Sequence, residues 1–361
     1  MHDQVVIPLP AGPNDIDASW LTAALGADAE VDSFVSTQIG TGQVGANFRY
    51  ELTWKPDGVP GPDSIVVKLA SLDEQSRQTG VDTMTYEREV EFYRSVSETV
   101  DICHPRVFHV DIEAGTPKVV VVMEDLAPRE QGDQLAGCSI VEAEMAVVEA
   151  AHLHGPRWGD ESLHEIQWLS RRTSADVGAV VGGLHALYPM FVERYADRLT
   201  DEAREVGDGI IPKLAEWFAG MPEPVTVVHG DYRLDNMMFD TNPSTDRSLV
   251  VVDWQTPGHS HGANDVAYFL GAGLLPEIRE SAERDLVAKY HAELGTYEGA
   301  AGVSLEECWE NYRRYAYSGF LMAVGASIIV GQTERGDEMF MAMANRHAAQ
   351  ALHLESAELL N

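Results

Sequence analysis

The stretch from Val225 to Gln255 places the strongest constraint on how this chain can fold. It contains a short apolar run, the polar loop H-G-D-Y-R-L-D-N, a second apolar run, a polar turn and the run L-V-V-V, which leads into D-W-Q. Short apolar runs bounded by turn residues predict buried strands. Asp231, Asn236 and Asp253 then lie at strand ends, where we expect them to converge. Because burying unpaired carboxylates costs free energy, a site that holds Mg²⁺ explains these acids better than packing does.

The spacing from Asp231 to Asn236 is that of the catalytic loop in kinases. In such a loop the aspartate accepts the proton of the attacking hydroxyl, and the asparagine holds a metal ion. We therefore predict that Asp231 is the catalytic base and that Asn236 and Asp253 are metal ligands. A capped turn is the simpler alternative for Asp231 and Asn236, but the acid that follows the next apolar run favours the catalytic interpretation.

Arg233 lies between the predicted base and the predicted metal ligand. A guanidinium there could donate to the oxygens of the transferring phosphoryl group, which makes Arg233 a candidate catalytic residue. A surface arginine paired with Asp235 or Asp240 would instead matter little, and the sequence leaves both alternatives open. His229 is predicted to fix the loop by hydrogen bonds to the backbone.

Gly40, Gly42 and Gly45 form the pattern G-x-G-x-x-G near the start of the chain. In a dinucleotide-binding fold the third glycine opens a helix, whereas here the residues from Phe48 to Trp54 alternate between apolar and polar, as in a strand. A strand, a glycine-rich turn and a second strand form the arrangement that covers nucleotide phosphates in kinases. We therefore predict that the three glycines bind the nucleotide, although an ordinary hairpin is the alternative.

Lys68 lies inside the apolar run S-I-V-V-K-L-A, where a buried ammonium requires a partner. The helix predicted over roughly Thr83 to Ser97 offers Glu89 on its apolar stripe, while Glu87 points away from that stripe. We predict a nucleotide-binding pair of Lys68 and Glu89. A lysine on an edge strand is the alternative.

A strand from Val119 to Met123 ends at Glu124 and Asp125, and Pro128 then predicts a hinge. We predict an α+β fold with a small antiparallel-sheet lobe that binds nucleotide, residues 1–125, and a larger, mainly helical lobe with the catalytic loop and substrate site, residues 126–361. The predicted helices of the second lobe are Val141 to Leu153, Ala175 to Leu199, Asp201 to Ala219, Ala263 to Leu275, Ile278 to Leu294, Leu305 to Val330 and Asp337 to Leu360.

The composition restricts partners and location. A formal charge of -33, from 58 acids and 25 bases, opposes binding to nucleic acids and anionic membranes. The three cysteines are neither a disulfide framework nor in metal-binding spacing, and the start of the chain does not look like a signal peptide. The apolar run from Phe320 to Val330 is too short to span a bilayer. We expect a cytoplasmic protein, and we expect His259 and His261 to lie in a solvated loop.

The segments V-V-H-G-D-Y-R-L-D-N-M-M-F-D, V-V-D-W-Q with G-A-N-D-V-A-Y-F-L, V-V-K-L-A, R-E-V-E-F-Y and A-H-L-H-G resemble the aminoglycoside phosphotransferase superfamily. Within it they are most similar to the ecdysteroid-kinase-like and choline-kinase-like branches. The resemblance implies a bilobal protein-kinase-like fold, ATP with Mg²⁺, and phosphorylation of a small-molecule hydroxyl. It also implies that Lys68 holds the α and β phosphates and that Asp265 braces the catalytic loop. Glu124 and Leu126, at the hinge, are assigned to the nucleotide site.

Several alternatives stay open at this point. A pseudokinase that binds nucleotide as a regulatory module is the second hypothesis for function, and it would be favoured by the loss of a metal ligand or of Lys68. The acceptor is either an antibiotic-type polycation or a steroid-like, lipid, sugar or acyl alcohol, including hydroxyacyl thioesters. The preference between ATP and GTP and the formation of a homodimer are likewise undecided.

Overall fold

The computed structural model describes residues 7–40, 44–169, 174–240 and 247–360. The chain divides into two compact units. The first comprises Met1–Glu98, His104–Pro128 and Asp253–Thr256, and the second comprises Thr99–Cys103, Arg129–Val252 and Pro257–Asn361. The sequence predicted one boundary, after residue 125, whereas each unit also contains a short segment from elsewhere in the chain.

An antiparallel sheet forms the centre of the first unit, with five strands among the described residues, in the order β1-β2-β3-β5-β4. Asn47 pairs with Lys68 where the second and third strands meet. The elements of this unit are α1 (Ala18–Leu25), β1 (Val31–Ile39), β2 (Gly45–Trp54), β3 (Ser64–Ala70), α2 (Glu74–Asp82), α3 (Thr85–Glu91), β4 (Val107–Ile112) and β5 (Val119–Glu124).

The core of the first unit lies between one face of this sheet and α1. Asp17 caps α1 by accepting a hydrogen bond from the Trp20 N–H at 2.8 Å. Trp20 and Leu21 then pack into a cluster with Ile65 and other alternate strand residues. Because successive side chains of a strand point to opposite faces, Lys68 points away from this cluster.

Two α-helices, α2 and α3, lie between β3 and β4, where the sequence predicted one helix. Asp73 caps α2, which the sequence analysis did not identify, and α3 with a π-helical turn over Phe92–Val96 occupies the region of the predicted helix. In α3 the buried residues are Tyr86, Glu89 and Val90, which share one face because they are three and four positions apart.

The second unit is mainly helical, so the predicted α+β class is confirmed. Two predicted long helices are interrupted. The helix predicted over Asp201 to Ala219 is interrupted by a 3₁₀ turn over Ile211–Lys213, where Pro212 lacks an N–H to donate. The helix predicted over Leu305 to Val330 is interrupted by a 3₁₀ turn over Tyr315–Tyr317. The helices are α4 (Ile140–His154), α5 (Ser174–Arg194), α6 (Asp201–Ile210), α7 (Leu214–Ala219), α8 (Ala263–Gly273), α9 (Pro276–Leu294), α10 (Leu305–Arg314), α11 (Ser318–Ile329) and α12 (Glu334–His353).

Short strands hold the polar loops of the second unit. The strands are β6 (Glu130–Gln131), β7 (Thr226–Val228), β8 (Met237–Phe239), β9 (Leu249–Val251) and β10 (Gly258–Ser260). β7 pairs with β10, and β8 lies between β6 and β9. The loop after β7 is therefore fixed at both ends by strand pairing.

One helix of the described residues, Ala175–Arg194, is long and apolar enough to cross a membrane by length and composition. Only 17% of it is buried.

Candidate active site

Lys68 forms the centre of a charged cluster in the first unit. Its Nζ donates to Glu89 Oε1 and to Asp253 Oδ1, each at 2.8 Å. The side chains of Lys68 and Glu89 are 11% and 4% exposed. The lysine is therefore paired with Glu89, the acid on the apolar stripe of α3, while Glu87 instead accepts a hydrogen bond from the Gly115 N–H at 2.7 Å.

The charges in this cluster depend on one another. Burial alone would lower the pKa of Lys68, but Asp253 and Glu89 raise it above its usual value, so the ammonium stays charged. Burial raises the pKa of Glu89, and Lys68 opposes that shift. The ammonium thus lies between two carboxylates, of which Glu89 is buried with it and Asp253 is still reached by solvent.

Asp253 has an unusual backbone conformation, with a φ of 64°. This left-handed conformation is uncommon for residues other than glycine, although aspartate tolerates it better than most. The next residue, Trp254, is fully buried, and its ring stacks on Phe92 with a centroid separation of 3.8 Å. The stack anchors the segment, while the Asp253 side chain stays 38% exposed. A carboxylate that is anchored in this way and still reached by solvent fits a hard cation such as Mg²⁺.

Two of the three predicted glycines, Gly40 and Gly45, are described, and Gly42 lies outside the described residues. Gly40 has a φ of 71°. Gly45 lies against Lys68: a Cβ atom there would be 2.9 Å from Lys68 Cε. A side chain at Gly45 would therefore displace the lysine from its two carboxylates.

Glu124 and Leu126, assigned to the nucleotide site by sequence, flank an anchored residue. Glu124 ends β5 and accepts a hydrogen bond from the Arg106 N–H at 2.8 Å, and Leu126 is half-buried. Between them, Asp125 accepts hydrogen bonds from Arg49 Nε and Nη2, at 2.7 and 3.0 Å. Their contacts with nucleotide stay a prediction.

Asp231 lies in the loop after β7, in the second unit, and both of its carboxylate oxygens are engaged. Oδ1 accepts from the Tyr268 hydroxyl at 2.8 Å and from Arg233 Nε at 3.1 Å. Oδ2 accepts from Arg233 Nε and from Asn236 Nδ2, both at 3.0 Å. Although burial opposes ionisation, the Arg233 charge and the hydrogen bond from Tyr268 lower the pKa of Asp231. The predicted base is therefore an ionised carboxylate with a fixed orientation.

Arg233 is bound to two acids of the same loop. Its Nε contacts Asp231, and its Nη1 donates to Asp235 Oδ2. Asp235 Oδ1 also lies 3.4 Å from Nη2 of Arg335, at the start of α12. The side chain of Arg233 is 18% exposed, so it is not the surface arginine of the simpler alternative, even though the predicted partner Asp235 is present. Its catalytic role stays a prediction.

Asp265 holds the backbone of the catalytic loop. Its Oδ2 accepts from the His229 N–H at 2.6 Å, and its Oδ1 accepts from the Gly230 N–H at 3.0 Å. His154, at the end of α4, lies with Nε2 3.3 Å from Asp265 Oδ2 and with Nδ1 2.9 Å from the Tyr290 hydroxyl. These contacts agree with the bracing role that the resemblance implied for Asp265. The sequence analysis gave His154 no role, and only its position in A-H-L-H-G marked it.

His229 fixes the loop through backbone contacts, as the sequence predicted. Its Nε2 donates to Val252 O at 3.0 Å, and its Nδ1 accepts from the Asp231 N–H at 3.3 Å. The expectation that His259 and His261 lie in a solvated loop is wrong. They are 9% and 3% exposed, because β10 pairs with β7 and draws this segment inward, and burial lowers the pKa of His261 to about 3.

The donors available for a metal suit Mg²⁺ better than a transition metal. Among the described residues, no group of three or more His, Cys, Asp or Glu side chains could hold a metal ion. Mg²⁺ is commonly held by one or two protein oxygens together with substrate phosphates. Asn236 Nδ2 donates to Asp231 O and Oδ2, at 2.9 and 3.0 Å, and a role of its amide oxygen as a metal ligand stays a prediction. The residues present therefore fit Mg²⁺.

Comparison with known proteins gives one family match and one curated relative. Residues 160–302 match the ecdysteroid kinase-like family. Acyl-CoA dehydrogenase family member 11 from Gallus gallus is 27% identical over 149 residues, which cover 36% of this chain and 19% of that protein. The match therefore spans about a fifth of the length of this curated relative.

Solved structures of similar fold cover nearly the whole chain. The ADP-bound aminoglycoside phosphotransferase APH(2'')-Ib has a TM-score of 0.51 and 15% sequence identity, with 92% of this chain and 97% of that chain covered. APH(2'')-IIia in complex with GDP and kanamycin has a TM-score of 0.52 and 12% identity, with 94% of this chain and 96% of that chain covered. These likenesses show that the chain has a protein-kinase-like fold.

Proposed function

We propose that the protein is an ATP-dependent kinase that transfers the γ-phosphoryl group to a hydroxyl of a small molecule. The observation that carries this proposal is the state of Asp231, an ionised carboxylate held by Tyr268, Arg233 and Asn236 in the loop that Asp265 braces. A base that must orient a hydroxyl needs such a fixed position.

In the proposed reaction, Asp231 accepts the proton of the acceptor hydroxyl while the hydroxyl oxygen attacks the γ-phosphorus. The bond from that phosphorus to the β-γ bridging oxygen breaks, and ADP leaves. Lys68, kept charged by Glu89 and Asp253, holds the α and β phosphates. Asn236 and Asp253 would hold Mg²⁺, which when bound neutralises charge on the phosphate oxygens.

The pseudokinase alternative has less support. Lys68, Glu89, Asp231, Asn236 and Asp253 are all present, and Lys68 and Asp231 already have the charged states that catalysis requires. A module that only bound nucleotide would not need Asp231 to be held by three side chains.

We further propose that the acceptor carries no ammonium group next to its reacting hydroxyl. Arg233 already pairs with both Asp231 and Asp235, and Arg335 contacts Asp235 and Asp133. A cationic acceptor would have to displace an arginine to reach these acids.

The test measures ADP release from ATP and Mg²⁺ with a panel of sterols, sugars, hydroxyacyl thioesters, ethanolamine and kanamycin. We expect turnover with a neutral alcohol and none with kanamycin. Asp231→Asn should keep ATP binding, measured by calorimetry, and lose about 10²- to 10⁴-fold in kcat. A variant with the wild-type kcat would remove Asp231 from the role of base, and turnover with kanamycin alone would reverse the acceptor proposal.

The remaining expectations about the protein's surroundings stay predictions. They are a cytoplasmic location, no nucleic-acid or membrane partner, and a homodimer as an open alternative. The preference between ATP and GTP, which the sequence left undecided, stays open, because the similar structures include one with ADP and one with GDP.

A further inference from the structure

Tyr268 contacts the carboxylate of Asp231, and the sequence analysis gave it no role. Its phenol donates to Asp231 Oδ1 at 2.8 Å, and the residue is only 3% exposed. We propose that Tyr268 is a positioning residue for the phosphoryl transfer: it fixes one oxygen of Asp231 so that the carboxylate's remaining lone pair faces the acceptor hydroxyl. This inference rests on the proposed function.

The hydrogen bonds around Asp231 leave little acceptor capacity. An ionised carboxylate has about four lone-pair positions for hydrogen bonds. Tyr268, Arg233 and Asn236 supply three donor groups, and Arg233 Nε is shared between the two oxygens. About one position is therefore left for an incoming hydroxyl. Without the Tyr268 hydroxyl, Oδ1 would keep only the shared contact with Arg233, and the carboxylate could rotate towards that guanidinium.

The position of Tyr268 on α8 explains how its hydroxyl can act as a fixed reference. Asp265, which holds the His229 and Gly230 N–H groups, lies three residues earlier on the same helix. Residues three apart lie on one face of a helix. The same face of α8 therefore fixes both the backbone of the catalytic loop and the carboxylate of its base.

α8 is itself held rigidly. Nearly every residue of the helix is buried. Arg346, on α12, donates from Nη1 to Ala272 O near the end of α8 at 2.8 Å, and the ring of His347 lies 5.8 Å from the ring of Tyr268. Because close packing surrounds α8, the Tyr268 hydroxyl is held in one position. A positioning residue must be held in this way.

Tyr268 does not itself take the proton in this reaction. Burial and the charge of Asp231 raise the pKa of its phenol well above the usual value, so the hydroxyl stays a donor. The proton of the acceptor passes to Asp231, the new bond joins the acceptor oxygen to the γ-phosphorus, and ADP carries away the electron pair of the broken bond.

A simpler explanation of the contact is that the Tyr268 hydroxyl is buried and needs some hydrogen-bond acceptor, whichever residue supplies it. Tyr312 provides the matched control, because it is also buried in the second unit and donates to a carboxylate, Glu283 Oε2, at 2.6 Å. Tyr312→Phe removes a hydroxyl that donates the same kind of bond, together with the acceptor of Gln350 Nε2 at 2.8 Å, and neither partner belongs to the catalytic loop.

The experiment compares wild type, Tyr268→Phe, Tyr312→Phe and Asp231→Asn in ADP release from ATP and Mg²⁺, with the acceptor that turns over fastest in the alcohol panel. We expect both phenylalanine variants to lower the thermal midpoint by similar amounts. Only Tyr268→Phe should also lower kcat, by about tenfold, with the KM for ATP within about twofold of wild type.

Two outcomes would overturn the inference in different ways. If Tyr268→Phe and Tyr312→Phe have the same kcat, Tyr268 is only a core residue, and the proposed function stands. If wild type releases no more ADP than Asp231→Asn with every alcohol tested, the proposed function fails, and the role of Tyr268 fails with it.

Discussion

Replacing Lys68 with methionine tests whether the charged cluster of the first unit stabilises the fold as well as serving the nucleotide. Lys68 Nζ lies 2.8 Å from both Glu89 and Asp253. Methionine fills a similar volume but leaves Glu89, whose side chain is 4% exposed, without its cation. Removing one partner from a buried ion pair typically costs about 3–5 kcal/mol. Asp253 adds less, because its side chain is 38% exposed.

The destabilisation by Lys68→Met cannot exceed the free energy of protonating Glu89, because Glu89 can bind a proton instead of staying charged. That free energy depends on pH. From the ordinary pKa of 4.5 for this group, protonation at pH 7 costs about 3.4 kcal/mol, and at pH 5 about 0.7 kcal/mol. In the variant, the folded state binds more protons than the unfolded state between these pH values, so stability falls as pH rises. We expect Lys68→Met to lose about 3 kcal/mol at pH 7 and less than about 1 kcal/mol at pH 5, relative to wild type.

Urea denaturation at the two pH values, followed by circular dichroism, measures this difference. Lys68→Met combined with Glu89→Gln should recover most of the loss at pH 7, because the buried charge is gone. Glu87→Gln combined with Lys68→Met is the matched control on the same helix and should recover nothing. An equal loss at both pH values would refute the reasoning, since the cost would then come from packing and not from the charge of Glu89.

Two other predictions concern the second unit. Arg233→Ala should lower kcat by about tenfold or more, with little change in the KM for ATP, because it removes the Nε–H that both oxygens of Asp231 accept from. Arg233→Lys should recover part of the rate because it restores the charge, and an unchanged kcat for Arg233→Ala would end the catalytic role. Burial lowers the pKa of His347 from 6.5 to about 4. As pH falls, the unfolded state therefore binds a proton at this residue before the folded state does. Protonation of His347 in the unfolded state should lower the free energy of unfolding by about 2 kcal/mol at pH 5. Denaturation of His347→Gln should show a flatter pH dependence between pH 6.5 and 5, and an equal slope would contradict the shift.

The sequence was sufficient to predict features that local patterns decide. The alternation of β2 and the apolar run around Lys68 each involve residues close together in the chain, where backbone periodicity and side-chain direction fix the outcome. The choice of Glu89 over Glu87 followed from the same rule, because only Glu89 shares the apolar face of α3. The local pattern failed where pairing with a distant segment mattered, as for His259 and His261.

The amino-acid sequence by itself thus determined the α+β class and the candidate residues of the catalytic loop. Only the tertiary structure decided how that loop is held: Tyr268 lies 37 residues from Asp231 in the chain, and Gln134, which accepts from the Leu234 N–H, lies 100 residues from its partner. No periodicity links such pairs, because their approach depends on how whole helices pack. The orientation of Asp231 depends on the distant donor Tyr268 as well as on its neighbours Arg233 and Asn236, so a short-range pattern can name a base without showing all that holds it.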